Sequence, residues 1–156
     1  ARGAVLLFLH ADTELPPDAD RLIAEGMAAS GRPWGRFDVR LSGAHPLLRV
    51  VERAMNLRSR LTGICTGDQA MFVRRDLFHA VGGFPPIALM EDIALSRKLK
   101  RRGPPLRLDR PVVTSSRRWE ENGVLPTVLT MWRLRLRYFL GADPAQLAQA
   151  YEKQRN

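Results

Sequence analysis

A chain of 156 residues, 45 % of them hydrophobic, is long enough for one compact domain with its own core and too apolar to be disordered. Its formal charge of +9 suits an anionic partner, although charge alone does not choose among nucleic acid, anionic lipid and nucleotide diphosphates. One cysteine, Cys65, excludes an internal disulfide and sits in no zinc-ligand spacing, so the cytosol is the default compartment, and no run approaches the roughly 20 apolar residues that span a bilayer.

The first predicted element is Val5-Leu6-Leu7-Phe8-Leu9, a continuous apolar run of the kind that forms an interior strand of a mostly parallel sheet. It stops at His10-Ala11-Asp12-Thr13-Glu14-Leu15-Pro16-Pro17, setting an imidazole and a carboxylate at the strand's carboxyl end, where open α/β sheets bind ligands. Pro16-Pro17-Asp18 opens a helix with Leu22, Ile23, Met27 and Ala24 on its apolar face, ending near Gly31. Trp34 to Leu41 alternates large apolar and polar residues and predicts a half-buried strand. His45-Pro46 precedes a helix with Leu47, Leu48, Val51 and Met55 inward and Arg49, Arg53 and Arg58 outward. A loop from Gly63 to Gln69 follows, then a short strand from Ala70 to Val73, a helical turn from Arg75 to Val81 and a loop over Gly82-Gly83-Phe84-Pro85-Pro86.

The next helix carries Glu91 and Asp92 in its first turn and Lys98, Lys100, Arg101 and Arg102 in its last, complementing the helix dipole at both ends; Gly103-Pro104-Pro105 stops it. Leu106-Arg107-Leu108 and Val112 to Ser116 predict two more strands before Arg117-Arg118-Trp119. Strands alternating with helices predict one α/β domain over residues 1–156, an α/β/α sandwich. Over residues 124–140, Leu125, Val128, Leu129, Trp132, Leu136 and Phe139 recur at helical spacing, with Arg133 and Arg137 on other faces. Such a basic amphipathic helix packs against its own domain or a second subunit, the commoner case, or lies on an anionic membrane surface.

Three polar clusters carry chemistry. Asp12 offers the hard oxygen that a divalent cation prefers, and such an ion neutralises a diphosphate. Asp92 is a candidate acceptor for the proton of an incoming hydroxyl, and Arg117 and Arg118 can take phosphate oxygens bidentately as charge builds on a leaving group. Each also has a plain structural use: Asp12 in a turn, Glu91 and Asp92 at a helix N-terminus. The excess positive charge lies between Ile93 and Arg118, nine basic residues against Asp109 alone. Those of the helix bunch at its last turn with no nucleic-acid motif beside them, which makes nucleic acid the weaker reading.

Taken in order, Leu7-Phe8-Leu9-His10-Ala11-Asp12-Thr13, Thr66-Gly67-Asp68-Gln69 with Phe72-Val73-Arg74-Arg75, Gly82-Gly83-Phe84 followed by Glu91-Asp92, and Arg117-Arg118-Trp119 carry a resemblance. The chain resembles the inverting family-two glycosyltransferases of the GT-A fold, in the small bacterial branch found near radical-SAM and selenium-related genes, over residues 3 to 151. The resemblance implies a Rossmann-like α/β/α sandwich that moves a sugar, as a hexosyltransferase, from a nucleotide-diphospho-sugar donor to an acceptor hydroxyl with inversion. It implies Mg2+ or Mn2+ at Asp12, which matches the last aspartate of the D-x-D motif, and Asp92 as catalytic base with Glu91 supporting it. Thr66, Gly67 and Asp68 match the acceptor-side loop. Arg117, Arg118 and Trp119 resemble the R-x-x-R-W signature, with Arg118 near the departing phosphates and Trp119 flooring the site.

The sequence departs from the family at His10, where the first aspartate of D-x-D is usual; His10 is a candidate ligand or hydrogen-bond partner. The family's nucleotide-gripping strands, of the type I-I-I-P-x-x-N-E, have no counterpart ahead of Ala1. The chain is therefore expected to match the carboxyl-terminal two thirds of such an enzyme, cytoplasmic or at the inner face of the membrane. The sugar, nucleotide and acceptor are not encoded in these motifs.

Overall fold

A computed structural model describes residues 3–152. It holds β1 (Val5–Phe8), β2 (Thr13–Glu14), α1 (Ala19–Ser30), β3 (Trp34–Leu41), α2 (Pro46–Thr62), β4 (Met71–Arg74), α3 (Arg75–Ala80), α4 (Glu91–Lys100), β5 (Leu106–Thr114), α5 (Arg117–Glu121), α6 (Val124–Phe139) and α7 (Pro144–Glu152). The five strands form one mixed sheet in the order β1-β4-β3-β5-β2.

The side-chain period of a strand sorts the core into two layers. In β1, Val5 and Leu7 pack with α1 and α2 residues such as Ile23 and Met55, while Leu6 and Phe8 pack with Leu77 and Phe78 of α3 and Leu95 and Leu99 of α4. β4 repeats the division, Phe72 facing one way and Met71 and Val73 the other. Helices therefore cover both sheet faces, and that explains the unbroken apolar run at the start of the chain. A third cluster around Ile93, Leu134 and Leu147 docks α6 and α7 against the start of α4.

The expected mostly parallel sheet is not what forms. Among the described residues only β3 and β5 pair in parallel; β1 with β4, β3 with β4, and β2 with β5 are antiparallel. The cause is the insertion of β4, entering from the opposite end, between β1 and β3. Even so, β1, β3 and β5 all run the same way, so their carboxyl ends share one edge of the sheet. β1 is an edge strand among the described residues, not an interior one, and its residues are half-buried because only β4 pairs with it.

Other expectations need correction. Leu106 to Thr114 is a single strand in place of two, and a register shift against Phe37/Asp38 absorbs the break in its pattern. β3 is not half-buried: Arg36 and Asp38 are buried along with its apolar residues, because the Asp38 carboxylate binds Arg36 from one side and the partly exposed Arg107 from the other. On α1, Ala24 is exposed, and on α2 Leu47 is exposed. Arg49 turns inward, donating to the carbonyls of Leu41 and Gly43 at 2.6 Å each and so finishing β3. Beyond the long α6, the short helix α7 and the two-residue β2 are elements that periodicity did not reveal.

On α6 the most apolar stripe does not pack against its own domain. Leu125, Leu129, Trp132, Leu136 and Phe139 are exposed, and the helix is anchored by Thr127, Met131, Leu134 and Tyr138. The helix carries two stripes at helical spacing, and the less apolar one faces the core. No helix among the described residues is long and apolar enough to cross a membrane.

Candidate active site

The chain leaves β1 at one edge of the sheet and reaches β2 at the other, so His10 to Asp12 cross the shared carboxyl edge. A turn closes the crossing, with the Thr13 amide donating to the His10 carbonyl at 3.1 Å. The Ser115 amide donates to the Asp12 carbonyl at 3.1 Å, and Thr13 Oγ1 to Thr114 Oγ1 at 2.9 Å, which fixes this segment to the end of β5. His10 Nδ1 lies 3.2 Å from Asp12 Oδ1, both side chains being more than half exposed.

From the opposite side comes the loop ahead of β4. Gly67 to Gln69 form a 3-10 turn, held by the Thr66 amide donating to Gln69 Oε1 at 3.3 Å. The Gly67 amide donates to Asp92 Oδ2 at 2.8 Å, and Asp92 Oδ1 accepts the Ile93 amide at 2.7 Å. The backbone thus fixes both carboxylate oxygens of Asp92 in direction. A Cβ on Gly67 would come within 2.9 Å of His10 Cδ2 and 3.9 Å of Asp92 Oδ2, so a side chain here would push the exposed imidazole aside while staying in ordinary contact with the carboxylate.

Two non-glycine residues with positive φ flank this arrangement: Ala70 (φ 44°) before β4 and Met90 (φ 68°) before Glu91-Asp92. Both are buried, so packing holds them in a conformation that costs on the order of 1–3 kcal/mol each. Met90 turns the chain so that α4 begins with Asp92 against Gly67. Glu91, beside it, is exposed and does not line the cleft.

A third contribution comes from the end of β5. Ser42 Oγ accepts from the Ser116 amide at 3.1 Å, joining the ends of β3 and β5, and Ser116 Oγ donates to Glu120 Oε1 within α5. Arg117 is largely exposed, with Glu121 3.9 Å away. Arg118 donates to the Tyr151 hydroxyl and stacks over its ring at 5.3 Å, and Trp119 is half-buried. A cleft of about 710 Å³ gathers His10, Asp12, Asp68, Arg117, Arg118 and Trp119, a volume typical of small-molecule sites. Thr66, Gly67 and the expected base Asp92 lie outside the cleft lining, Asp92 being joined to it only through the Gly67 amide next to Asp68.

Burial raises the pKa of Asp68, with His10 and Arg135 opposing and the carboxylates of Asp92 and Asp12 adding to the rise. The rise is therefore an effect of desolvation, since the positive charges around Asp68 outweigh the negative ones. Among the described residues no group of three His, Cys, Asp or Glu side chains forms a closed metal cage. The His10–Asp12 pair by itself offers two donors.

Two cleft residues were missed in the sequence. Arg58, expected on the outer face of α2, points inward, and its Nε and Nη2 are buried without a hydrogen-bond partner. Burial and the nearby charge of Arg135 lower its pKa to about 10, against the pull of Asp92 and Asp68. Arg135 of α6 is lowered by burial too, against the same two carboxylates. Neither arginine forms a salt bridge among the described residues. The available signal was positional: Arg58 follows Met55 by three residues and Arg135 follows Met131 by four, both on stripes that turn inward.

The basic segment is partly consumed by the fold. Arg107 binds Asp38, Lys98 donates to the Gly83 carbonyl and Lys100 to that of Thr62. Cys65 is buried, its thiol pushed up to about 11 by desolvation, which makes it a poor nucleophile. Comparison of the chain with family models, with curated proteins and with solved structures found no match.

Proposed function

We propose that this cleft is the transfer site of an inverting glycosyltransferase of the GT-A type, moving a hexose from a nucleotide-diphospho-sugar to an acceptor hydroxyl. The observation that carries the reading is the position of Gly67, with the His10–Asp12 pair on one side and the Asp92 carboxylate on the other. In this reading the donor diphosphate lies at the His10–Asp12 pair and the proton acceptor at Asp92, on the two sides of the Gly67 loop. The common direction of β1, β3 and β5 supports it, because it gathers these residues where open α/β sheets bind ligands.

In this reading the acceptor oxygen attacks the anomeric carbon while its proton passes to Asp92. The bond from that carbon to the diphosphate breaks, and its electron pair leaves with the phosphate. One displacement on the face opposite the leaving group inverts the configuration. Asp68 holds acceptor hydroxyls, with Thr66 and Gly67 shaping the loop behind it, and Glu91 supports Asp92 from the first turn of α4. Arg117 is free to reach the departing phosphates, whereas Arg118 must first leave Tyr151. A magnesium or manganese ion held by Asp12 and His10 together with the diphosphate would neutralise charge on the leaving group. The enzyme is assigned to the cytoplasm or the inner membrane face, with homo-oligomers open.

Asp92→Asn should cut transfer by at least about 10²-fold while donor affinity stays within about two-fold. Turnover at the original rate would remove Asp92 from the mechanism. Asp12→Ala should abolish the manganese dependence of nucleotide-diphosphate binding in a calorimetric titration, and an unchanged titration would move the ion elsewhere.

A further inference from the structure

Arg118 stands at a boundary between two hollows. It lines the cleft of about 710 Å³ and also a smaller hollow of about 290 Å³, shared with Asn122, Thr127, Thr130 and Tyr151. Its guanidinium donates to the Tyr151 hydroxyl and lies 5.3 Å over the Tyr151 ring. Tyr151 lines the smaller hollow and not the cleft, so its hydroxyl draws the guanidinium away from the cleft and does not aim it inward.

The fold sets Tyr151 in this place. α7 is pinned by Leu147, which is fully buried in the cluster with Ile93 of α4 and Leu134 of α6, and Tyr151, four residues on, lies on the same face of the helix. The phenol thereby reaches the first turn of α5 from 33 residues further along the chain. Among the described residues no carboxylate lies within salt-bridge distance of Arg118, whereas its neighbour Arg117 has Glu121 at 3.9 Å. A neutral hydroxyl and a ring face are weaker partners than a phosphate, whose charged oxygens take a guanidinium bidentately.

We propose that Tyr151 is a positioning residue that acts through Arg118: it holds the guanidinium out of the cleft until a phosphate-bearing ligand enters and draws it off. The identity of that ligand as the donor diphosphate rests on the glycosyltransferase reading; the contact that has to break rests on the geometry alone. Arg118 already lines the cleft, so only its side chain has to turn. Leu147 stays in the core, which confines the release to the last turn of α7. Entry of the anion and release of that turn are then reciprocal, each favouring the other.

The test is a calorimetric titration of the intact chain with inorganic pyrophosphate. Tyr151→Phe keeps the ring and removes the hydroxyl that accepts the bond, so it should bind pyrophosphate about five-fold more tightly than the wild type. Arg118→Gln should weaken binding about ten-fold, and in that background Tyr151→Phe should change nothing, because the phenol has no guanidinium left to hold. Amide exchange gives a readout that a merely structural tyrosine would not move. Saturating pyrophosphate should speed exchange over residues 148–152 of the wild type and leave Tyr151→Phe, already released, unaltered. Weaker binding by Tyr151→Phe would overturn the proposal, because the phenol would then be aiding the arginine. So would full affinity in Arg118→Gln, an absence of binding, or an equal effect of Tyr151→Phe with and without Arg118. Titration of nucleoside diphosphates with and without manganese judges the transfer reading separately. Manganese dependence without coupling between Arg118 and Tyr151 removes the latch alone; coupling without manganese dependence leaves the latch and removes the metal-assisted transfer site.

Discussion

Arg36 and Arg107 face one another across β3 and β5, and Arg58 and Arg135 approach one another from α2 and α6. The first pair closes on Asp38. A register shift after Phe37 turns the Asp38 carboxylate back over both guanidiniums, with Arg107 Nη2 donating at 2.6 Å and Arg36 donating from the buried side. Burial raises the Asp38 pKa, but the hydrogen bonds and charges of Arg107 and Arg36 outweigh it and leave it lowered. The second pair has Asp68 and Asp92 in its neighbourhood and neither within salt-bridge distance. The same side chain, withdrawn from water in two places, thus strengthens the fold in one and retains a desolvation cost in the other. An uncompensated cost in a cleft is where a ligand has most to contribute.

The contrast breaks most visibly at Asp38. Asp38→Asn leaves Arg36, which is 1 % exposed, without its counter-charge, and urea unfolding should show a loss of about 3–5 kcal/mol. Replacing Arg36, Asp38 and Arg107 together by apolar residues should cost far less, because no orphaned charge remains. The acid limb carries the same information. With a folded pKa below the ordinary 3.8, Asp38 contributes stability that is fully present above 3.8 and is lost as pH falls through the folded value. The wild-type curve should therefore fall more steeply than that of Asp38→Asn below pH 3.8; parallel curves would separate Asp38 from the arginines.

The second pair predicts the opposite sign. Arg58→Met keeps the stem and removes a buried, unpaired guanidinium, so stability should hold or rise by about 1 kcal/mol. A loss above that would mean that Arg58 has a counter-charge after all. Affinity for inorganic phosphate should fall in the same variant, which sets the two arginine pairs apart by function as well as by energy.

The sequence made some of this legible and hid the rest for physical reasons. β1, α1, α2 and α4 announce themselves because continuous apolar runs, capping prolines and end-charges are local signals. The edge position of β1 and the antiparallel entry of β4 depend on pairing at long range, which no window of sequence contains. At the site, Asp12, Asp68, Asp92 and Arg117-Arg118-Trp119 stand out because polar residues at element ends are conspicuous. Arg58 and Arg135 do not, because an arginine on a helix is outward by default and its burial depends on the neighbouring helix. On α6 hydropathy singles out one stripe, yet Thr127, Met131, Leu134 and Tyr138 are what pack within the domain. Burial rewards shape and surroundings as well as hydropathy.

Asp68 offers the finest test, because it lies among the same charges as the open arginine pair. Its folded pKa is raised, chiefly by burial, so the folded state holds the proton more tightly than the unfolded one and stability declines as pH rises from 3.8 through the folded value. Asp68→Asn imitates the protonated form and should remove that decline. The gain at neutral pH stays within about 1 kcal/mol, because the amide also gives up attraction to Arg135 and Arg58. Stability curves of wild type and variant should therefore coincide below pH 3.8 and separate above it, with the variant on top. If the variant falls below the wild type at neutral pH, the Asp68 carboxylate is compensating Arg58 and Arg135 more strongly than their missing ion pairs suggest, and the contrast between the two arginine pairs narrows.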